Sequence, residues 1–215
     1  MLFNSASYAL FLLAAYVGFW LMRTRKRERT LFLVLASYFF YFYGTYDTAK
    51  LDGAPLAPWA WALLCLGIIF VGSSLDFWIA RVLHRTEAPG KRKALLLVSV
   101  VYYLGILALF KYYDFAVGSV ASLLGAIGVD YKPSLLHLVL PFGISFFTFE
   151  TMSYTIDVYR RELTPADNYL DYLLFVCFFP HLVAGPIVRP SQMLPQLAAE
   201  PKVSARPNRT ETRKP

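Results

Sequence analysis

The residues of this chain that could do chemistry are three histidines and a few acids and arginines set in apolar sequence. His181 lies in FFPHLVAGPIVRPSQMLPQL (Phe178–Leu197), an apolar stretch broken by Pro180, Gly185, Pro186, Pro190 and Pro195. A neutral imidazole in that setting can take a proton from a hydroxyl, or can be satisfied by a carbonyl that the prolines set free. Glu150 and Asp157 lie in PFGISFFTFETMSYTIDVYRRE (Pro141–Glu162), seven positions apart, so two helical turns stack them on one face. An acid within such a segment either lines a functional path or pairs with a neighbouring Lys or Arg. Arg189, at the end of the broken stretch, has a planar fork that suits a phosphate-bearing carrier and equally suits a surface anchor. His84 is expected to be solvated and His137 interfacial. Lys111, in LFKYYDF, is expected at a helix end with its ammonium reaching for water. No metal-ligand spacing, phosphate loop or nucleophile elbow occurs, so no residue is assigned a catalytic role or a metal.

The elements that must position these groups are written for lipid. Hydrophobic residues make up 57% of the 215 positions and charged residues only 16%, with a mean hydropathy of +0.48. A soluble domain is about 45–50% apolar and about 25% charged. The apolar residues come in blocks, and aromatic clusters such as SYFFYFYGTY (Ser37–Tyr46) and APWAW (Ala57–Trp61) mark block ends, as at a membrane interface. The reading is an all-α, polytopic transmembrane helical bundle whose principal partner is the lipid bilayer. Cys65 and Cys177 sit inside apolar blocks and read as small buried hydrophobes. The net charge of +7 flanks hydrophobic spans, which accounts for it without nucleic acid.

Spans are predicted over Ser5–Met22, Leu31–Tyr46, Trp59–Ile79, Ala94–Phe110 and Leu135–Tyr159, with Tyr112–Val129 as a sixth or as a helix at the interface. The first is a retained helix rather than a signal peptide, because its first charge, Arg23, follows the apolar run. RTRKRER (Arg23–Arg29) and Arg81–Lys93 are basic, whereas Gly44–Pro58 is not, which puts the N-terminus outside and the basic connections in the cytoplasm. Arg160 and Arg161 fall on the cytoplasmic side too. Were Tyr169–Val188 to cross, Arg189 and the basic tail would lie outside. A re-entrant or broken helix removes the conflict, with Pro180, Gly185 and Pro186 lining a cavity open to the cytoplasm. Two classes fit: an enzyme with a sheltered cavity, and a transporter or flippase-like subunit. No internal repeat favours the transporter.

Taken in order, MLFNS, LASYFFYFYG, LALFKYYDF, LPFGISFFTFETMSYTIDVYRRE and LLFVCFFPHLVAGPIVRPSQMLPQL make the chain resemble the membrane-bound O-acyltransferases, in their alginate O-acetylation branch. The resemblance runs from Met1 to about Leu197. It implies acyl transfer to a hydroxyl in a polytopic protein of the bacterial inner membrane, with an exported polysaccharide such as alginate as acceptor. It also implies acetyl-CoA as the donor, no other cofactor, and a periplasmic acetyltransferase partner. The family's histidine belongs to the second half of a longer chain, so His181 does not inherit its role. Residues 1–197 are thus expected to be an N-terminal half, inactive alone. The polar, proline-punctuated 198–215 is expected to be a disordered or frame-shifted tail.

Overall fold

The computed structural model describes residues 6–128, 135–136, 138–184 and 188–199. Gly185, Pro186, His137 and the tail from residue 200 lie outside them. Eight helices and no strand occur among the described residues: α1 (Ala6–Leu21), α2 (Lys26–Asp52), α3 (Pro58–Arg85), α4 (Pro89–Ala126), α5 (Ile144–Tyr159), α6 (Tyr169–Cys177), α7 (Phe179–Ala184) and α8 (Pro190–Ala198). Two of them, α3 and α4, are long and apolar enough to cross a membrane, and α1 is a shorter apolar helix. α3 is the hub, packed against α2, α4, α5 and α6, while α1 rests on the outside of α2.

The boundaries follow from local chemistry. Pro58 and Pro89 stand in the first turns of α3 and α4, where a missing N–H costs nothing. Gly53 closes α2 in the left-handed region, and its N–H reaches the Ala49 carbonyl. α2 is longer than its apolar core suggested, because the basic run from Lys26 onward is already helical. α4 runs unbroken through Lys111 and Tyr112 to Ala126, which replaces the expected separate interfacial helix. Nothing between Phe110 and Phe115 breaks a helix, and glycine at 105 or 118 costs only about 1 kcal/mol. Lys111 therefore stands inside a helix rather than at its end. The span expected from Leu135 is helical only from Ile144. Pro141 and a left-handed Gly143 (φ 68°) hold the preceding chain out of the helix.

Helix packing uses glycine at close approaches, of which Gly72 is one. A Cβ on Gly72 of α3 would stand 2.8 Å from Tyr102 Cε1 and 3.1 Å from Tyr103 Oη, so α4 can approach only a bare backbone there. The interior is aromatic: Tyr41, Phe77, Tyr103, Phe147, Tyr154, Tyr172 and Phe175 are all buried. The outward faces are apolar as well, as at Leu13, Val71, Trp78, Leu97 and Val101.

The basic connections gather at one end of the bundle, as the alternation of charge predicts. Several of their arginines turn out to be internal braces. Buried Arg92 donates to the carbonyls of Leu83 (2.6 Å), Thr86 (3.1 Å) and Tyr159 (2.5 Å), tying the ends of α3 and α5 together. Buried Arg29 donates to Arg23 (2.9 Å) and Ala199 (3.2 Å), and Arg81 to Ala166 (3.3 Å) and Asp167 (2.5 Å). These acceptors include the carbonyls that a helix C-terminus leaves without partners. Arg92→Gln is expected to cost about 1.5–3 kcal/mol, the range for a hydrogen bond to a charged group. Arg92→Lys should recover only part of it, since one ammonium cannot reach three spread carbonyls. Thermal unfolding in detergent measures both, and a Lys variant as stable as wild type would refute the brace.

Candidate functional site

The site is built on the α6–α7–α8 hairpin. Asn168 caps α6, its Oδ1 accepting from the Leu170 N–H at 3.0 Å. From there α6 runs inward, away from the basic end. Seven consecutive residues, Asp171 to Cys177, are buried, so the helix is enclosed on every side. Nine residues reach only about 14 Å, roughly half the thickness of a hydrocarbon core. The break comes at Phe178, before Pro180, which occupies the first turn of α7. The Phe179 N–H is met by Ser37 Oγ of α2 at 3.3 Å, and the Phe179 ring packs edge-on to Phe11 of α1 at 5.0 Å. By Ala199 the chain is beside Arg29 again, at the end from which α6 set out.

The candidate residues separate into two levels. At the basic end Arg189 caps α8, exposed, and lies near enough to Asp157 for their charges to interact. Beside them a cavity of about 280 Å³ opens between the 163–168 loop and α8, lined by Lys26, Asp167, Asn168, Asp171, Leu194 and Pro195. Within it Lys26 Nζ stands 3.1 Å from Asp171 Oδ2, and Thr30 Oγ1 donates to Asp171 Oδ1 at 3.3 Å. Deeper in, Glu150 of α5 is buried and its Oε1 has no hydrogen-bond partner among the described residues. The pairing with Lys or Arg that could have satisfied it is absent among those residues. His181 is half-buried, edge-on to Phe178 at 5.2 Å, and its Nδ1 likewise lacks a partner among them. Glu150 and Asp157 share α5 but open onto these two different levels. Outside the helices, the Arg161 guanidinium bonds Glu87 at 2.6 Å and holds its carboxyl below the ordinary range.

One acid escaped sequence reasoning. Asp76 of α3 is fully buried, and the hydroxyls of Ser99 (α4), Tyr103 (α4) and Thr155 (α5) face its carboxylate. None of them closes a well-formed hydrogen bond, so three helices meet around an under-satisfied group. The signal was available in VGSSLDFWIA, a lone acid in the middle of an apolar helix.

The comparisons with known proteins bear on this arrangement. No family model and no solved structure matches the chain. Curated proteins do. Over 202 residues, 91% of the chain, it is 34% identical to a probable alginate O-acetylase, AlgI, of Pseudomonas aeruginosa. An Azotobacter vinelandii protein of the same name is 34% identical over 88% of the chain. The peptidoglycan O-acetyltransferase of Helicobacter pylori is 28% identical over 91% of it. Over nearly its whole length the chain thus resembles the membrane-bound O-acyltransferases. It spans about a third of the length of these relatives, which are covered to 34%, 34% and 38%. That likeness and its two span-length apolar helices support a membrane protein.

The Asp76 layer gives a test that does not depend on activity. A buried carboxylate without a counter-charge is costly, whereas a neutral amide of the same shape can serve the same hydroxyls. Asp76→Asn is therefore expected to unfold in detergent at or above the wild-type temperature. Asp76→Leu should lose about 1–3 kcal/mol by leaving the hydroxyls against an alkyl group. The reverse order would show that the bundle requires the charge itself.

Proposed function

We propose that this chain takes part in O-acetyl transfer to the hydroxyls of an exported polysaccharide. The carrying observation is its 34% identity, across 91% of its length, to proteins named alginate O-acetylases. In this reading the helices form a polytopic bundle in the bacterial inner membrane, with the basic end in the cytoplasm and the N-terminus outside. The α6–α7–α8 hairpin is then re-entrant. It dips in from the cytoplasmic face, breaks near mid-depth and returns, with Ser37 supplying a hydrogen bond that lipid could not. α4 accords with the same frame. Lys111 stands about 33 Å along it from Pro89, where a hydrocarbon core of about 30 Å ends.

Acetyl-CoA is the proposed donor, approaching from the basic end, where Arg189 and Lys26 could meet its phosphates. A periplasmic acetyltransferase would receive the acetyl group on the other side. The chemistry is transfer of an acyl carbon from a thioester sulfur to a hydroxyl oxygen, the hydroxyl proton passing to a base and the thiolate leaving. His181 is not assigned as that base, because it stands within the hairpin break and no carboxylate orients it among the described residues. Its surroundings support a role in lining the path, together with Glu150.

Deleting the gene should remove ester-linked acetyl from the exported polysaccharide while leaving polymer yield unchanged, as read by proton NMR of the purified polymer. A transporter subunit predicts lost polymer with normal acetyl content in what remains, and that result would sink the proposal. Orientation has its own measurement. A cysteine placed at Thr24 should resist a membrane-impermeant maleimide in intact cells, and one at Gly53 should react. Cys65 and Cys177 are buried and keep the background low. Labelling of Thr24→Cys from outside would reverse the topology.

A further inference from the structure

Two adjoining clefts at the basic end are unused by the proposed reaction. They share Arg81 and Asp167. The larger, about 550 Å³, is also lined by Arg27, Ser74, Phe77, Trp78 and Tyr169, and the smaller, about 410 Å³, by His84 and Arg85. Three guanidiniums thus line a space with one carboxylate. Among the described residues none of Arg27, Arg81 and Arg85 is ion-paired with an acid. Arg81 is held ready. Its Nη2 is tied to the Ala166 and Asp167 carbonyls, its Cζ lies 4.4 Å from the centre of the Phe77 ring, and its buried Nε has no partner among the described residues. Ser74 and Tyr169, hydroxyl to hydroxyl at 2.6 Å, form the polar wall.

The position of the larger cleft decides what it takes. Val71, Trp78 and Val82 are exposed on one face of α3, and the cleft lies where that apolar face gives way to guanidiniums. Trp78, 61% exposed, lines it from that face. This juxtaposition of an outward indole, two guanidiniums and paired hydroxyls belongs at the headgroup level of a bilayer. A pocket for a soluble anion has no use for an indole on its lipid side.

We propose that the cleft lined by Arg27, Ser74, Trp78, Arg81 and Tyr169 holds the phosphodiester headgroup of an anionic glycerophospholipid of the cytoplasmic leaflet. The guanidiniums bind the phosphate oxygens, and Trp78 lies along the glycerol and upper acyl chain. This rests on α3 spanning the bilayer, as proposed above. The bound lipid fixes the depth of the α3 end, and through Arg81 it supports the 163–168 loop from which α6 departs.

The test is lipid retention. The protein is purified from nanodiscs of phosphatidylglycerol and phosphatidylcholine, stripped with mild detergent, and its bound lipid counted by native mass spectrometry. Each basic residue near a membrane surface is worth about 1 kcal/mol, or roughly fivefold. Wild type should therefore keep phosphatidylglycerol over phosphatidylcholine by tenfold or more. Arg27→Gln, which removes an exposed side chain and should not disturb folding, should lower that preference about fivefold, and Trp78→Ala should lower it too. Arg25→Gln removes an equal charge from a residue already paired with Glu28 at 3.1 Å, and should leave the preference intact. Equal retention of the two lipids, or the same loss with Arg25→Gln as with Arg27→Gln, overturns the site. Full displacement of the lipid by inorganic phosphate would overturn it in favour of a soluble ligand. Extraction of the chain from membranes by alkaline carbonate tells the two failures apart, since release would refute the membrane reading itself.

Discussion

The bundle depends on satisfying the carbonyls that its helices leave open at one end. α3 and α5 both finish there, and the 163–168 loop passes over them before α6 begins. In a dry interior each unpaired carbonyl is expensive, and water cannot be the remedy throughout. Arg29, Arg81 and Arg92 supply the donors, each guanidinium reaching two or three carbonyls, and those of Arg29 and Arg92 join different segments. Rings complete the arrangement, for Arg29 lies over Phe19, Arg81 over Phe77 and Arg92 over Tyr159. The same residues thus satisfy the backbone and add positive charge to that end.

That frame is what lets α6 be short. A nine-residue helix has little stability of its own and survives by burial on every side. Its start is fixed by Asn168 and by the Arg81-braced loop, and its end by Ser37 on α2. Between these two points the Lys26–Asp171 pair and the hydroxyl of Thr30 secure the first turn. Asp76, Glu150 Oε1 and His181 Nδ1, each without a hydrogen-bond partner among the described residues, lie inward of this frame.

Much of this was legible in sequence, for reasons that can be named. α1 and α3 were readable because their apolar runs end in charge or proline. The break in FFPHLVAGP was readable because proline cannot continue a helix, although it falls at Phe178, just ahead of the proline that causes it. The shared side of the basic connections followed from charge alternation. The unity of α4 was hidden, because Lys111, Asp114 and several glycines imitate a boundary that packing on α3 and α5 overrides. The start of α5 was placed too early, because an apolar count does not register Pro141 and Gly143 as a stop. Among the candidate residues, Asp157 and Arg189 lie near enough for their charges to interact. The Asp76 layer was missed because its partners, Ser99, Tyr103 and Thr155, are ordinary residues until three helices bring them together.

The shortness of α6 also has an electrical consequence. Its peptide dipoles align with their positive pole at the basic end and their negative pole at Phe178, equivalent to roughly half an elementary charge at each. A helix that crossed fully would bring that pole back to water, where solvent screens it. Here the pole stops in the interior, next to a carboxyl, Glu150, that lacks a partner among the described residues. The field of α6 therefore slopes in one direction along its length. Along α6 an anion is drawn toward the arginines, whereas a neutral acyl group feels little of that field. In the proposed transfer, a charged carrier would be held at the mouth by the same field that lets its neutral cargo go deeper.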